Sequence, residues 1–140
     1  MSAQTQNLGQ KVQILVAKLP AMGVWLNTPW GKKINVNVTA AGKTIVYGST
    51  YRVRSILKAH GLEWMGHQWE GALNPEEFKA LLEDLTGAGV DTGPAAVYAE
   101  YLEVYHAWKQ QAAQDLSRGQ VSSEEELRAW LQEKAREAEK

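Results

Sequence analysis

The chain has no cysteine, so disulfide staples and thiolate metal sites are excluded, and it reads as a protein of a reducing, intracellular compartment. Phenylalanine occurs once and histidine three times, which leaves no material for a nucleophile–base pair built on cysteine or on a serine motif. No apolar run approaches the ~20 residues of a membrane span, and the polar stretch Met1–Asn7 is not a signal peptide. No glycine-rich loop follows a strand and ends in Gly-Lys-Ser/Thr, so a phosphate cradle is absent. What is present is an aromatic balance tilted to six Trp and five Tyr, residues that suit interfaces because one end of the ring stays wet, and that also suit a core. With 140 residues the chain is one domain with room for an appendage, long enough to bury about two thirds of its unfolded surface.

The net charge of −1 hides a polarity. Through Glu70 there are eight Lys/Arg against two acids, a balance of +6; from Gly71 onward seven against fourteen, a balance of −7. The two halves therefore have different partners, or cover one another, or form a segregated solvated surface.

Along the chain, Val12, Ile14 and Val16 alternate like a strand, while Leu8, Val12, Leu15 and Leu19 also fit a helix; the expectation is a strand over 10–19. Val24–Leu26 reads as a short strand. Ile34, Val36 and Val38 alternate with Lys33, Asn35 and Asn37, and after the turn 40–43 the chain returns through Thr44–Tyr47, a hairpin with a polar, basic outer face. Thr50 is placed to cap a short helix carrying Val53, Ile56 and Leu57 on one face, and Gly61 to end it. Trp64 and Trp69 flank Met65-Gly66-His67-Gln68 on the arms of a second hairpin. Asn74-Pro75-Glu76-Glu77 starts a helix with the stripe Phe78, Leu81, Leu82, Leu85, stopped at Gly87. Pro94 opens a long helix to about Leu116 with Val97, Tyr101, Val104, Tyr105, Trp108 and Ala112 on one stripe. Ser122 and Glu125 form a capping box for a last, charged helix whose apolar residues are Leu127, Trp130 and Leu131. The fold class is thus α+β: a small antiparallel sheet with helices on one face, in a β-β-α-β-β-α unit over about 33–86, plus a long helix and a separate C-terminal helix. Residues 1–116 form the core, with the long helix 94–116, and 117–140 a linker and an amphipathic arm.

Glu103 and His106 stand at the spacing of a di-iron bundle motif, but no second Glu-x-x-His exists, so no metal and no cofactor is expected and the chain reads as non-catalytic. The functional signal is basic and aromatic. Lys32, Lys33, Lys43, Arg52, Arg54 and Lys58 are candidates to meet phosphates or acidic protein surface, and Trp64, Trp69 and Trp108 to stack on bases or fill a partner's pocket. Leu127, Trp130 and Leu131 complete the candidate contact residues.

Two resemblances rest on these residues. Tyr51, Val53, Ile56, Leu57, Lys58, Gly61, Trp64 and Trp69 match a pattern that resembles a module of phage, plasmid and DNA-repair proteins, and is similar to the annealing-helicase-associated domain that binds branched nucleic acid. The length, the α+β portion through about Lys109 and the charged terminal stretch SSEEELRAWLQEK resemble the small RNA-polymerase-binding inhibitors made by phages of Thermus-type thermophiles. That second resemblance implies a regulator, cytoplasmic in the host cell, that grips the β-subunit flap of bacterial RNA polymerase together with region 4 of sigma. It implies inhibition of promoters that need the −35 element, and antitermination. The first implies the alternative, a module for single-stranded or branched DNA. A pI of 6.3 and the acidic half weigh against the alternative.

Overall fold

The computed structural model describes residues 3–117. Helix α1 spans Ala3–Lys18; strands β1 (Val24–Leu26), β2 (Ile34–Val38) and β3 (Lys43–Gly48) follow. A 3₁₀ turn, Tyr51–Val53, leads into helix α2 (Arg54–Ala59), then come β4 (Glu63–Trp64), β5 (Trp69–Ala72), helix α3 (Pro75–Gly87), a second 3₁₀ turn (Gly93–Ala95) and helix α4 (Ala96–Ser117). The class is α+β, with one five-stranded antiparallel sheet in the order β1-β2-β3-β5-β4.

The expectation of a strand over 10–19 is overturned: this stretch is the second half of α1. Its buried residues, Thr5, Gly9, Val12, Leu15 and Val16, recur every three to four positions, whereas Ile14 is exposed. The alternation of Val12, Ile14 and Val16 is a β-branched coincidence that a single helical stripe overrides.

The chain divides into two compact units. One comprises Pro20–Glu100 and holds the whole sheet, α2 and α3; the other comprises, among the described residues, α1 and α4 from Tyr101. In the latter, Tyr101, Leu102, Tyr105, Trp108 and Ala112 of α4 are buried, with Tyr101 and Tyr105 stacked at 5.7 Å between ring centroids and Tyr105 and Trp108 at 6.2 Å. Burial pushes the Tyr101 hydroxyl's pKa upward, and neighbouring Tyr105 adds to the shift. The Ser122–Glu125 capping box and Leu127, Trp130 and Leu131 lie outside the described residues.

Within Pro20–Glu100, directly opposed residues share a sheet face. One face carries Leu26 opposite Ile34, and a row Val24–Val36–Val46–Trp69–Trp64 that crosses all five strands. Val53 and Leu57 of the α2 segment and Phe78, Leu81 and Leu85 of α3 are buried, each full side-chain burial contributing about 1.5–3 kcal/mol. Leu62 closes over Gly71, where a Cβ would come within 2.8 Å of its Cδ2.

The other face carries Trp25, Asn35 and Tyr47 in one row and Asn37, Ile45, Glu70 and Glu63 in the next. It is less open than the alternating pattern suggests. Asn35 is fully buried; its Nδ2 donates to the Met22 carbonyl at 3.1 Å, and a Cβ on Gly23 (φ +80°) would stand 2.4 Å from its Oδ1. Tyr98 is buried with its hydroxyl 3.3 Å from both the Pro20 carbonyl and Asn37 Oδ1. The polar, basic outer face expected for this hairpin is therefore partly an interior surface.

Two helices end alike. After α2, the N–H of Gly61 donates to the Lys58 carbonyl and that of Leu62 to the Leu57 carbonyl, both at 3.1 Å; after α3, Gly89 donates to Thr86 at 2.9 Å and Val90 to Leu85 at 3.0 Å. This pair of bonds needs a left-handed residue, supplied by Gly61 (φ +90°) and Gly89 (φ +94°). Gly61 acts as expected; α3 ends at the expected Gly87, and the left-handed residue that closes its end is Gly89, two positions on. The start of α3 follows the sequence signal: Asn74 Oδ1 accepts from the Glu77 N–H at 2.8 Å and Glu77 Oε1 from the Asn74 N–H at 3.1 Å.

Candidate functional site: the tryptophan hairpin and its basic helix

The β4–β5 hairpin closes through four residues, with the Met65 N–H donating to the Gln68 carbonyl at 2.8 Å and Gly66 at φ +92°. Trp64 and Trp69 face each other across it, ring centroids 5.5 Å apart and planes tilted by 56°. They extend the core row of valines to the edge of the sheet, and exposure rises along it. Val36 and Val46 are buried, Trp69 is half-buried and Trp64 is 52% exposed.

Thr50 does not cap the helix; no side-chain capping bond is made there. The chain enters α2 through the 3₁₀ turn, and the Thr50 hydroxyl accepts the Trp69 indole N–H at 3.3 Å. A residue placed by sequence at a helix start is instead a clamp on the hairpin.

Tyr51, 74% exposed, lies beside the pair. Arg54 is stacked over its ring, the guanidinium carbon 3.8 Å from the centroid, and Arg54 Nη1 donates to the Tyr51 carbonyl at 2.6 Å. The guanidinium is thereby held in place, with one of its five donors engaged by that carbonyl. Arg52 stands 5.7 Å over the ring of Trp30, whose indole N–H donates to Ser49 Oγ at 2.9 Å. Two shallow depressions adjoin the Trp pair. One, about 450 Å³, is lined by Gly48, Thr50, Tyr51 and Arg54 with both tryptophans. The other, about 480 Å³, is lined by Lys58, Gly61, Leu62 and Glu63 with the same two rings.

Of the residues nominated from sequence, Arg54, Lys58, Trp64 and Trp69 are brought together, with Arg52 on the neighbouring turn. Lys32 and Lys33 are exposed in the β1–β2 connection. Lys43 is engaged elsewhere: it forms an ion pair with Glu70, whose second oxygen accepts from Gln68 Nε2 at 3.2 Å. Glu70 stands directly opposite Glu63, an arrangement that like charges disfavour and that the Lys43 cation relieves. The Lys43 and Gln68 hydrogen bonds hold the Glu70 carboxyl below the usual carboxylate range. Trp108 is 1% exposed, so its ring offers no contact surface, in contrast to its nomination as a partner-binding residue.

Sequence reasoning missed Tyr51 and Met65 as surface residues. Both are adjacent to nominated positions, and Met65, 51% exposed, sits on the hairpin loop itself. Trp25, 50% exposed and edge-on to Tyr47 at 5.5 Å, was missed as well. Among the described residues no group of three or more His, Asp or Glu side chains is placed to hold a metal, and no helix is long and apolar enough to cross a membrane. His60 Nε2 lies 2.6 Å from Asp84 Oδ2, tying the end of α2 to α3.

Comparison of the chain with protein-family models, with characterised proteins and with solved structures finds no match.

Proposed function

We propose that this protein is a non-catalytic binding factor whose contact surface is the Trp64–Trp69 hairpin with Tyr51, Arg54 and Lys58, and that its partner is bacterial RNA polymerase holoenzyme. The observation that carries the reading is the row of core valines continuing into two tryptophans that emerge at the sheet edge beside an immobilised arginine. Trp, Tyr and Arg are the residues that dominate binding energy at protein interfaces, and Met is enriched there. Rings held by a threonine clamp and a stacked guanidinium lose little conformational freedom on docking.

The named partner comes from the whole-chain resemblance. On that reading the basic half of the chain, through Arg54 and Lys58 beside the hairpin, suits acidic polymerase surface, and the acidic C-terminal stretch of the sequence suits the basic DNA-reading face of sigma region 4. The displaced sigma no longer serves promoters that depend on the −35 element, and antitermination follows from the same grip. Direct binding of single-stranded DNA is the second reading, favoured by the nearness of cations and aromatic rings. It is weakened by the state of those groups. One face of the Tyr51 ring is taken by Arg54, the two indoles lean on each other, and the Lys43 charge is spent on Glu70.

The test is capture of purified Thermus-type holoenzyme by the immobilised full chain, beside a gel shift with single- and double-stranded DNA at physiological salt. Polymerase capture that falls at least tenfold with Trp64→Ala, without a DNA shift, is the expected result. A salt-sensitive DNA shift without capture would replace this reading with the nucleic-acid one.

A further inference from the structure

Resting on the protein-binding reading, we infer that the paired depressions beside Trp64 and Trp69 receive an acidic, apolar peptide segment of a protein partner. One of its apolar side chains sits against Tyr51 and the indoles, and its carboxylates engage Arg54 and Lys58. The two cations are four residues apart on α2, about 6 Å along the helix axis, and each borders one depression while the Trp pair borders both. A ligand that spans both therefore meets a cation, an aromatic platform and a second cation in that order.

The chemistry at each end is unequal. Among the described residues, Lys43 forms an ion pair with Glu70 and His60 lies against Asp84, and neither contact involves Arg54 or Lys58. Arg54 is nevertheless held in place by the Tyr51 carbonyl and ring, so a carboxylate arriving there meets a cation that has already given up much of its freedom and keeps further N–H donors to offer. At the other end Glu63 lines the depression with Lys58, so the second carboxylate engages a cation that already has an acidic neighbour, and the Arg54 end dominates. The platform between is mostly carbon, and an indole edge or aliphatic side chain suits it better than a charged one. A nucleic-acid strand presents anions at both ends and stacks its bases on ring faces in the middle, where each indole already takes up part of the other's surface.

The experiment is selection of a random dodecapeptide library displayed on phage against the immobilised full chain, repeated with three variants. The expected outcome is a consensus with one Trp, Phe or Leu and at least one Asp or Glu within four residues of it. Individual peptides should bind at least tenfold more weakly to Arg54→Gln and to Trp64→Ala. The variant Arg54→Glu/Lys58→Glu should turn the selection towards Lys- and Arg-bearing peptides, which a merely structural role for these side chains would not do. All three positions are exposed, and an unchanged melting temperature verifies folding. No enrichment, a consensus without acids, or a consensus indifferent to Arg54 and Trp64 overturns the inference, as does tighter binding of oligo-dT than of any selected peptide. An acidic consensus with no polymerase capture leaves this site standing and removes polymerase as partner. Polymerase capture unaffected by Arg54→Gln and Trp64→Ala does the reverse.

Discussion

Gly23 shows how much one position can carry. Its φ of +80° is left-handed, and an added Cβ would meet Asn35 Oδ1 at 2.4 Å and the Val36 carbonyl at 2.9 Å, both in the middle of β2. Gly23→Ala should lower stability by about 2 kcal/mol or more, since backbone strain and overpacking act together. Urea unfolding followed by circular dichroism measures this, and a loss under about 0.5 kcal/mol would contradict the packing described. Tyr98 belongs to the same buried corner. Burial pushes its hydroxyl up to about 12 from the ordinary 10.0 of a tyrosine. The folded state therefore favours the protonated form, and the resulting stability is complete below pH 10 and is lost as the pH rises towards 12. Tyr98→Phe should flatten that alkaline decline. At neutral pH it should cost about 0.5–1.5 kcal/mol, the net worth of a hydrogen bond to Pro20 or Asn37.

At the scale of elements, the hairpin edge depends on one neutralised contact. With Glu70 held below the usual carboxylate range by Lys43 and Gln68, its contribution is present above pH 4.5, the unperturbed value. It is lost as the pH falls through the lowered folded value. Lys43→Gln should therefore lower the melting temperature at neutral pH, and the gap to the parent protein should close in acid. A gap independent of pH would mean that Lys43 acts through packing of its stem. Helix α3 offers a separate check: Asn74→Ala removes the side-chain half of a reciprocal cap, leaving the Glu77 carboxylate on the backbone N–H of residue 74, and should cost about 1 kcal/mol.

The elements also show where sequence is legible. Helix α3 declares itself through Asn74, Pro75 and Glu77, and β2 through its alternation, because local backbone chemistry and burial agree there. They disagree in α1, where β-branched residues two apart imitate a strand against the helical spacing of Leu8, Val12, Leu15 and Leu19, and the buried stripe Thr5–Gly9–Val12–Val16 decides for the helix. Local capping chemistry likewise points Thr50 at its own helix, whereas a distant indole takes its hydroxyl. The Arg54–Lys58–Trp64–Trp69 cluster was readable as composition. Which cations stay unpaired was not, because the Lys43–Glu70 pairing is set by strand register across 27 positions of sequence.

For the whole molecule, the charge polarity of the chain does not translate into a uniformly basic face. Lys43 is neutralised within its own sheet, and Arg52 and Arg54 lie over aromatic rings. Association with an acidic partner should accordingly show a modest salt dependence. Raising salt from about 50 to 200 mM should weaken binding roughly tenfold, not the 10³–10⁵-fold of a surface that neutralises six or more phosphates. A steep slope, measured by titration of the captured polymerase, would return the basic residues to nucleic acid.

The tilt between Trp64 and Trp69 has an optical consequence. Two indoles in contact and out of parallel act as coupled oscillators, so the pair should write an exciton couplet into the far-ultraviolet dichroism that neither chromophore produces alone. The couplet belongs to the hairpin and not to the helices. Its decay on heating would time the opening of this one edge of the sheet, and its change on adding a peptide would report a ligand entering between the rings without any label.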